Sequence, residues 1–376
     1  MSSENSVAVS VICIAYNHEK YIEQCLKSVV SQKTNFKFEV IVHDDASTDS
    51  TAQLIKKYEQ HYPEIIKPVY QKKNIYSDPD VDFSRTLMSY ATGKYITFCE
   101  ADDYWCNDYK LQKQFDIMES NKNLSVCFHK TATLDEETGV LDNEWIFWKG
   151  RRFKGAGLYS QKELLYLNIA PVSAMFYRKE NFMFVHNTGL KYGDMVHLLD
   201  LALKGEGYCI DEVMSVYRKN VPYSLMTVRN AGVKNYNAGI NHGIKIFEYF
   251  NEKSNYKFKD IFEELIKEEK KKLISFSLEN VSIPSDEKIL IYGSGVFARV
   301  CYAEMLDRGY SIEAFVVTSA KADRYMGVPL TSISDIEDKN SKIIIAAGKK
   351  ARIEIEKSLR ESGFKNFKTV IYESEE

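Results

Sequence analysis

Val7 to Ile14 is an apolar run interrupted only by Ser10, and the polar break Tyr16-Asn17-His18 parts it from Tyr21, Ile22, Cys25, Leu26, Val29 and Val30. The first run has strand length and the second set has the spacing of one helix face. The unit then repeats. Phe38 to Val42 predicts a strand ending in His43-Asp44-Asp45, and Ser47-Thr48-Asp49 supplies caps for a helix carrying Leu54, Ile55 and Tyr58. A strand near Val69, a helix from Phe83 to Tyr90 and a buried strand from Tyr95 to Cys99, entered through Gly93, continue the alternation. Strand and helix in turn predict an α/β fold: a mostly parallel sheet with helices on both faces. Leu111, Phe115 and Met118 then mark a helix, Leu124 to Phe128 and Ala174 to Tyr177 two strands, and Leu198 to Ala202 a helix that Asp194 opens. Asn143 to Phe153 mixes aromatic with basic residues, and sugar stacking, a membrane-surface contact and half-buried strands all stay open for it.

Past residue 230 the pattern changes. Ile244, Phe247, Phe250, Ile261, Phe262, Leu265, Leu273 and Ile274 recur between many charges, which predicts a helical connector over 231–283. The polar segment Ser282-Ile283-Pro284-Ser285-Asp286 marks a boundary between the first domain (1–230) with its connector and a last domain over 284–376. There, strands at Lys288 to Tyr292, Ile312 to Val317, Ile343 to Ala347 and Thr369 to Tyr372 flank helices that start after Gly293-Ser294-Gly295 and at Lys350. This is a small Rossmann-like pattern. Its second strand ends in Thr318-Ser319 with no acid for a ribose, and Ala298 stands where a third glycine belongs, so a docking role toward a membrane surface or a protein is favoured over a dinucleotide site.

Fifty basic and 53 acidic residues leave a net charge of -3, which excludes the footprint of a nucleic-acid partner. Seven cysteines without a Cys-x-x-Cys pair, most of them in apolar runs, fit buried thiols in a reduced compartment. With no basic-then-apolar leader at the start and no apolar run of membrane-span length, the expected location is the cytoplasm.

The chemistry concentrates at Lys94 to Trp105. An apolar strand that ends in Glu100, Asp102 and Asp103 gathers negative charge at a sheet edge, at a cost that a cation or hydrogen-bonding ligand offsets. Hard oxygen ligands suit Mg2+ or Mn2+, bound through one or two carboxylates and the phosphates of a substrate. The competing reading is a solvated, helix-capping loop. Tyr16, Asp45 and the acid cluster all follow the carboxyl ends of their strands, where ligands of such sheets collect.

Val-Ser-Val-Ile-Cys-Ile-Ala-Tyr-Asn at 9–17, Val-His-Asp-Asp-Ala-Ser-Thr-Asp at 42–49 and Ala-Thr-Gly-Lys-Tyr-Ile-Thr-Phe-Cys-Glu-Ala-Asp-Asp-Tyr-Trp at 91–105 together resemble family 2 glycosyltransferases of the GT-A fold, over about the first 230 residues. The resemblance implies that Ile14 and Tyr16 meet the nucleotide base and that Asp45 faces its edge. It further implies that Glu100 lies with Asp102 at the nucleotide sugar, Asp102 holding the ribose, and that Asp103 ligates the divalent metal. A carboxylate at the base edge accepts the N3 proton of uracil or thymine, which favours a pyrimidine diphosphate donor, a UDP-sugar first, over a purine one. Arg85 stands one position off an arginine of the family, with a phosphate or base contact and a solvated helix face both open. The block from Gly193-Asp194 to Val216-Tyr217-Arg218 resembles the segment supplying the catalytic base, Asp194, whose competing reading is a helix cap. Asn220 stands where related sequences often carry His. The implied activity is inverting sugar transfer from a nucleotide diphosphate to an oligosaccharide or lipid-linked saccharide in cell-surface polysaccharide assembly. A sugar-nucleotide-binding scaffold without turnover and a nucleotidyltransferase are the alternatives; the Gly-rich basic loop that opens the latter is missing.

Overall fold

A computed structural model describes the chain except for residues 1–5, 77, 79, 144–152, 168–169, 187, 192, 222–231, 278–287, 321 and 374–376. The basic aromatic stretch from Trp145 to Arg152 and the boundary segment Ser282 to Asp286 thus lie outside the described residues. Two compact units are present: residues 1–134, 141–219 and 250–261 form one, and 135–140, 220–249 and 262–376 the other.

The first unit begins with three strand–helix repeats: β1 Val9–Ala15, α1 Ile22–Val30, β2 Phe38–Asp44, α2 Thr51–His61, β3 Ile66–Tyr70, α3 Phe83–Tyr90 and β4 Tyr95–Phe98. Strands β3, β2, β1 and β4 lie side by side in that order and are all parallel. Nearly every β1 and β2 residue is buried, as in a sheet covered on both faces. Val9, Val11, Cys13 and Ala15 share a core with Cys25, Leu26 and Val29 of α1.

The rest of the sheet is antiparallel. β5 Tyr104–Trp105, α4 Lys110–Ser120, β6 Leu124–Asp135, β7 Leu141–Asp142, β8 Gly157–Tyr159, α5 Gln161–Leu167, β9 Phe176–Arg178, α6 Asp194–Lys204 and β10 Glu206–Lys219 follow in sequence. β9 pairs antiparallel with β4 and β6, and β5 antiparallel with the distal end of β10, so the sheet runs on from β4 as β9, β6, β10, β5.

The entry to β4 is fixed by a buried polar knot. Glu39 Oε1 accepts from Ser10 Oγ at 2.6 Å and from Thr92 N at 2.7 Å, and Ser10 Oγ in turn accepts from Gly93 N at 2.8 Å. A Cβ at residue 93 would lie 2.5 Å from Ser10 N and 2.7 Å from Val9 C, both backbone atoms of the central strand. Gly93→Ala is therefore expected to destabilise the fold by about 1–3 kcal/mol or more, read as a lowered midpoint in urea. A midpoint equal to that of the parent would show that β1 and β4 can part without loss.

In the second unit α7 Val233–Lys253 contributes its first part, residues 233–249, and α8 Lys259–Lys270 all but its first three residues. β11 Ile274–Phe276 follows, then β12 Ile289–Tyr292, α9 Val296–Asp307, β13 Ile312–Val317, β14 Arg324–Tyr325, β15 Val328–Ser332, β16 Lys342–Ile345, α10 Lys349–Glu361, β17 Phe367–Thr369 and β18 Ile371–Glu373. β15, β13, β12, β16 and β17 form a parallel sheet with β14 at its edge. One sheet face (Ile289, Ile291, Phe315, Ile344) packs on Tyr236, Ile240 and Ile244 of α7, the other (Leu290, Ile343, Ile345) on Leu359 and Phe364. The Rossmann-like expectation thus holds in its layers. Leu273 and Ile274, read as helical, correct to a loop and strand: Ile274 pairs with Glu373 and Phe276 with Ile371. By spacing the apolar pair fits one more helix turn, whereas the distant strand Ile371–Glu373 supplies the backbone partners of Ile274.

Candidate functional site

The loops after β1 and β2 clasp each other. Asn17 N donates to Ser47 Oγ (2.9 Å) while Asn17 Oδ1 accepts from Thr48 N (2.8 Å), and Glu19 N donates to Asp49 Oδ2 (3.1 Å) while Glu19 Oε2 accepts from Ser50 N (3.0 Å). The turns need left-handed backbone at Asn17 (φ 57°) and Ala46 (φ 64°). The clasp leaves Tyr16 45% exposed. Ile14, half-buried, gives its carbonyl to Ala101 N at 3.1 Å, tying β1 to the acid turn.

Asp45 is buried. Its Oδ1 accepts from Ile75 N at 2.8 Å and its Oδ2 from Tyr76 N at 3.0 Å, so the carboxylate pins the loop that follows β3. Asp44 Oδ1 accepts from Ser47 N at 3.3 Å, the turn-forming habit of aspartate after a strand. Arg85 lies on α3 with a 70% exposed side chain, paired with Asp82 at 3.2 Å and set 4.7 Å over the Phe184 ring. Asp82 caps α3 by accepting from Arg85 N.

The acid turn is built by Asp103 N donating to Glu100 O at 2.9 Å. Asp103 is buried, and its Oδ1 accepts from Arg218 N at 2.9 Å. Its Oδ2 and the half-buried carboxylates of Glu100 and Asp102 carry no hydrogen bond from another described residue. Burial, with the charge of Asp102 next in both cases, raises the acids of Glu100 and Asp103 above the carboxylate range. The charge of Asp194 also bears on Glu100, which brings the start of α6 to the same cluster.

Burial pushes Asp194 up to about 7, although the Val172 amide and its own amide pull the other way. Asp200, six residues along α6, is instead held by Lys204 and Lys253, each at 2.6 Å. Asp211 is exposed and pairs with Lys130. Tyr217 joins the four acids: after burial, Asp103, Glu100, Asp102 and Asp194 all raise its phenol.

Sequence reasoning passed over Tyr217 and Arg218 as site residues. Their alternation with buried Val216 and Ser215 on β10 is a strand signal, and a charged residue on its buried side was the available clue.

The carboxylates fit a hard divalent cation. They offer oxygens without donors in a setting that penalises their charge. Among the described residues no group of three or more His, Cys, Asp or Glu side chains could hold an ion alone, so a cation here draws further ligands from elsewhere.

Residues 10–182 match the model of the family described as glycosyl transferase family 2. An uncharacterized protein of Mycobacterium tuberculosis is 32% identical over 213 residues, 56% of this chain and 59% of that protein, so the chain spans about three fifths of that relative's length. The Escherichia coli UDP-Glc:alpha-D-GlcNAc-diphosphoundecaprenol beta-1,3-glucosyltransferase WfaP is 34% identical over 114 residues, 30% of this chain and 42% of the relative. Among solved structures, Staphylococcus aureus TarS in complex with UDP is similar at 19% identity and a TM-score of 0.46, over 65% of each chain. Among the described residues no helix is long and apolar enough to cross a membrane.

Proposed function

We infer from the match of residues 10–182 to the glycosyl transferase family 2 model that this chain is a glycosyltransferase that moves one sugar from a UDP-sugar to a saccharide hydroxyl with inversion at the anomeric carbon. The observation that carries the reading is the convergence of Asp194, from beyond the matched segment, with Glu100, Asp102 and Asp103 around Tyr217. Asp194 takes the proton of the acceptor hydroxyl, whose oxygen attacks the anomeric carbon on the face opposite the diphosphate. The bond from that carbon to the diphosphate oxygen breaks, and UDP departs with the electron pair. Asp103, through Oδ2 beside Glu100 and Asp102, would hold Mn2+ or Mg2+, which would supply positive charge at the diphosphate.

Tyr16 offers an exposed ring to the base, and Ile14 sits beside it. Asp45 shapes the base pocket through the Ile75–Tyr76 loop; each of its oxygens keeps a lone pair for the N3 proton. Asp102, half-buried in the acid turn, takes the ribose. Arg85 faces solvent and is assigned to the outer phosphate only as the donor approaches. The name of WfaP supports a UDP-linked donor and a lipid-linked saccharide acceptor.

Thermal melts with UDP, dTDP, GDP, CDP and NAD, each with and without Mn2+, test the donor assignment. UDP with Mn2+ is expected to raise the melting temperature most. A larger shift with GDP would overturn the pyrimidine assignment, and equal shifts with and without Mn2+ the metal.

A further inference from the structure

Arg218 is 5% exposed and reaches three parts of the site at once. Its Nη1 donates to the carbonyl of Asp102, and its Nη2 donates to Gln24 Oε1 of α1 at 2.5 Å. The guanidinium lies 5.0 Å from the centre of the Tyr21 ring, just before α1, and 4.8 Å from that of Tyr104, just after the acid turn. Its own amide holds Asp103 Oδ1 at 2.9 Å. The segment at the end of β10 thus grips the acid turn by a main-chain carbonyl and a side-chain oxygen, and locks both to the helix whose preceding loop carries Tyr16.

We propose that Arg218 is a positioning residue for diphosphate and cation binding: it fixes the turn Glu100–Asp103 against α1 so that Asp103 turns its donor-free Oδ2 to the cation. The inference rests on the reading of Asp103 as the cation-facing carboxylate. Oδ1 already accepts from an amide, so the donor-free Oδ2 is the oxygen best placed for the cation, and its direction is set by where β10 holds the turn. The planar fork of arginine spans the Asp102 carbonyl and Gln24 while stacking between two rings. A lysine, a point charge on a flexible stem, cannot do both.

Partners that orient a metal ligand are worth roughly 10- to 100-fold in metal affinity or activity. The test is isothermal titration of UDP into the full chain, in Mn2+ and in EDTA, for the parent, Arg218→Lys, Arg218→Met and Gln24→Leu. Both Arg218 variants are expected to bind UDP roughly 10- to 100-fold more weakly in Mn2+, to need more Mn2+ for half-maximal binding, and to match the parent in EDTA. Gln24→Leu, which leaves the arginine in place, is expected to show a smaller loss of the same kind; should the Arg218 variants fail to fold, it decides the question. Parent-like Mn2+ dependence in the folded variants overturns the positioning role while leaving the metal assignment intact. A parent that binds UDP equally in Mn2+ and EDTA overturns the metal assignment and this proposal with it.

Discussion

Asp194→Asn is expected to keep UDP affinity within about twofold of the parent and to lower sugar transfer by roughly two to four orders of magnitude, the range lost with a general base. The base works only when ionised. Because burial lifts its acid to about 7, transfer by the parent should rise with pH through about 7 and level off above it, and the variant should lack this limb. The sign for stability is the reverse of the usual carboxylate case. The folded state binds the Asp194 proton more tightly than the unfolded chain does, so ionisation counts against folding above the unfolded value near 4, increasingly up to about pH 7 and constantly beyond. The helix N-terminus returns only about 0.3–1 kcal/mol to the anion, less than a shift of this size withholds. The Asn variant should therefore melt higher than the parent at pH 8, by on the order of 1–3 kcal/mol, with the gap closing toward pH 4. A variant that keeps most of its transfer rate, or that melts well below the parent at pH 8, would make Asp194 a cap for α6.

Asp103→Ala should abolish the gain in UDP affinity that Mn2+ gives. Losing one member of a close, desolvated charge pair costs on the order of 2–5 kcal/mol, or roughly 30- to several-thousand-fold in Kd. Two effects oppose each other in the metal-free fold. The substitution relieves the repulsion from Asp102 and Glu100, but it strips the Arg218 amide of its acceptor, a loss of about 1–3 kcal/mol. Asp103→Asn separates them, since its carbonyl still accepts from Arg218 N while the charge is gone. If titration shows Mn2+-dependent UDP binding lost in both variants, charge is the cause. Binding kept in Asp103→Asn would assign the residue to shaping the turn.

The parallel half of the first unit was legible because each strand is a buried apolar run closed by polar residues, so its length and its ligand-facing end are both written locally. The same runs place Tyr16, Asp45 and Glu100–Asp103 at those ends, and the structure sets all three just past β1, β2 and β4. What was not legible lies in pairings across long separations. Tyr104–Trp105 is too short to show a period, and its partners Ser215 and Val216 come more than a hundred residues later. Asp45 read as a turn former or a base contact; its use as an anchor for the Ile75 and Tyr76 amides depends on a loop 30 residues away that has no pattern of its own. Ile274 failed for a related reason, since its strand character is conferred by Ile371–Glu373.

The bond from Arg218 to Asp103 spans 115 residues, and it sets an order of events during synthesis. The repeats through β4 can pair as they leave the ribosome, β2 and β3 each closing on the strand just before it and β4 on β1, Val9 beside Tyr95. The acid turn is by then complete in sequence yet still lacks its buttress, and it gains one only when the end of β10 emerges. Long-range closure of this kind slows folding and lengthens the life of partly built states. Nascent chains stalled before Val216 should therefore hold a protease-resistant parallel sheet with an open, cleavable turn at Glu100–Tyr104, so the competence to bind donor arrives late and in a single step.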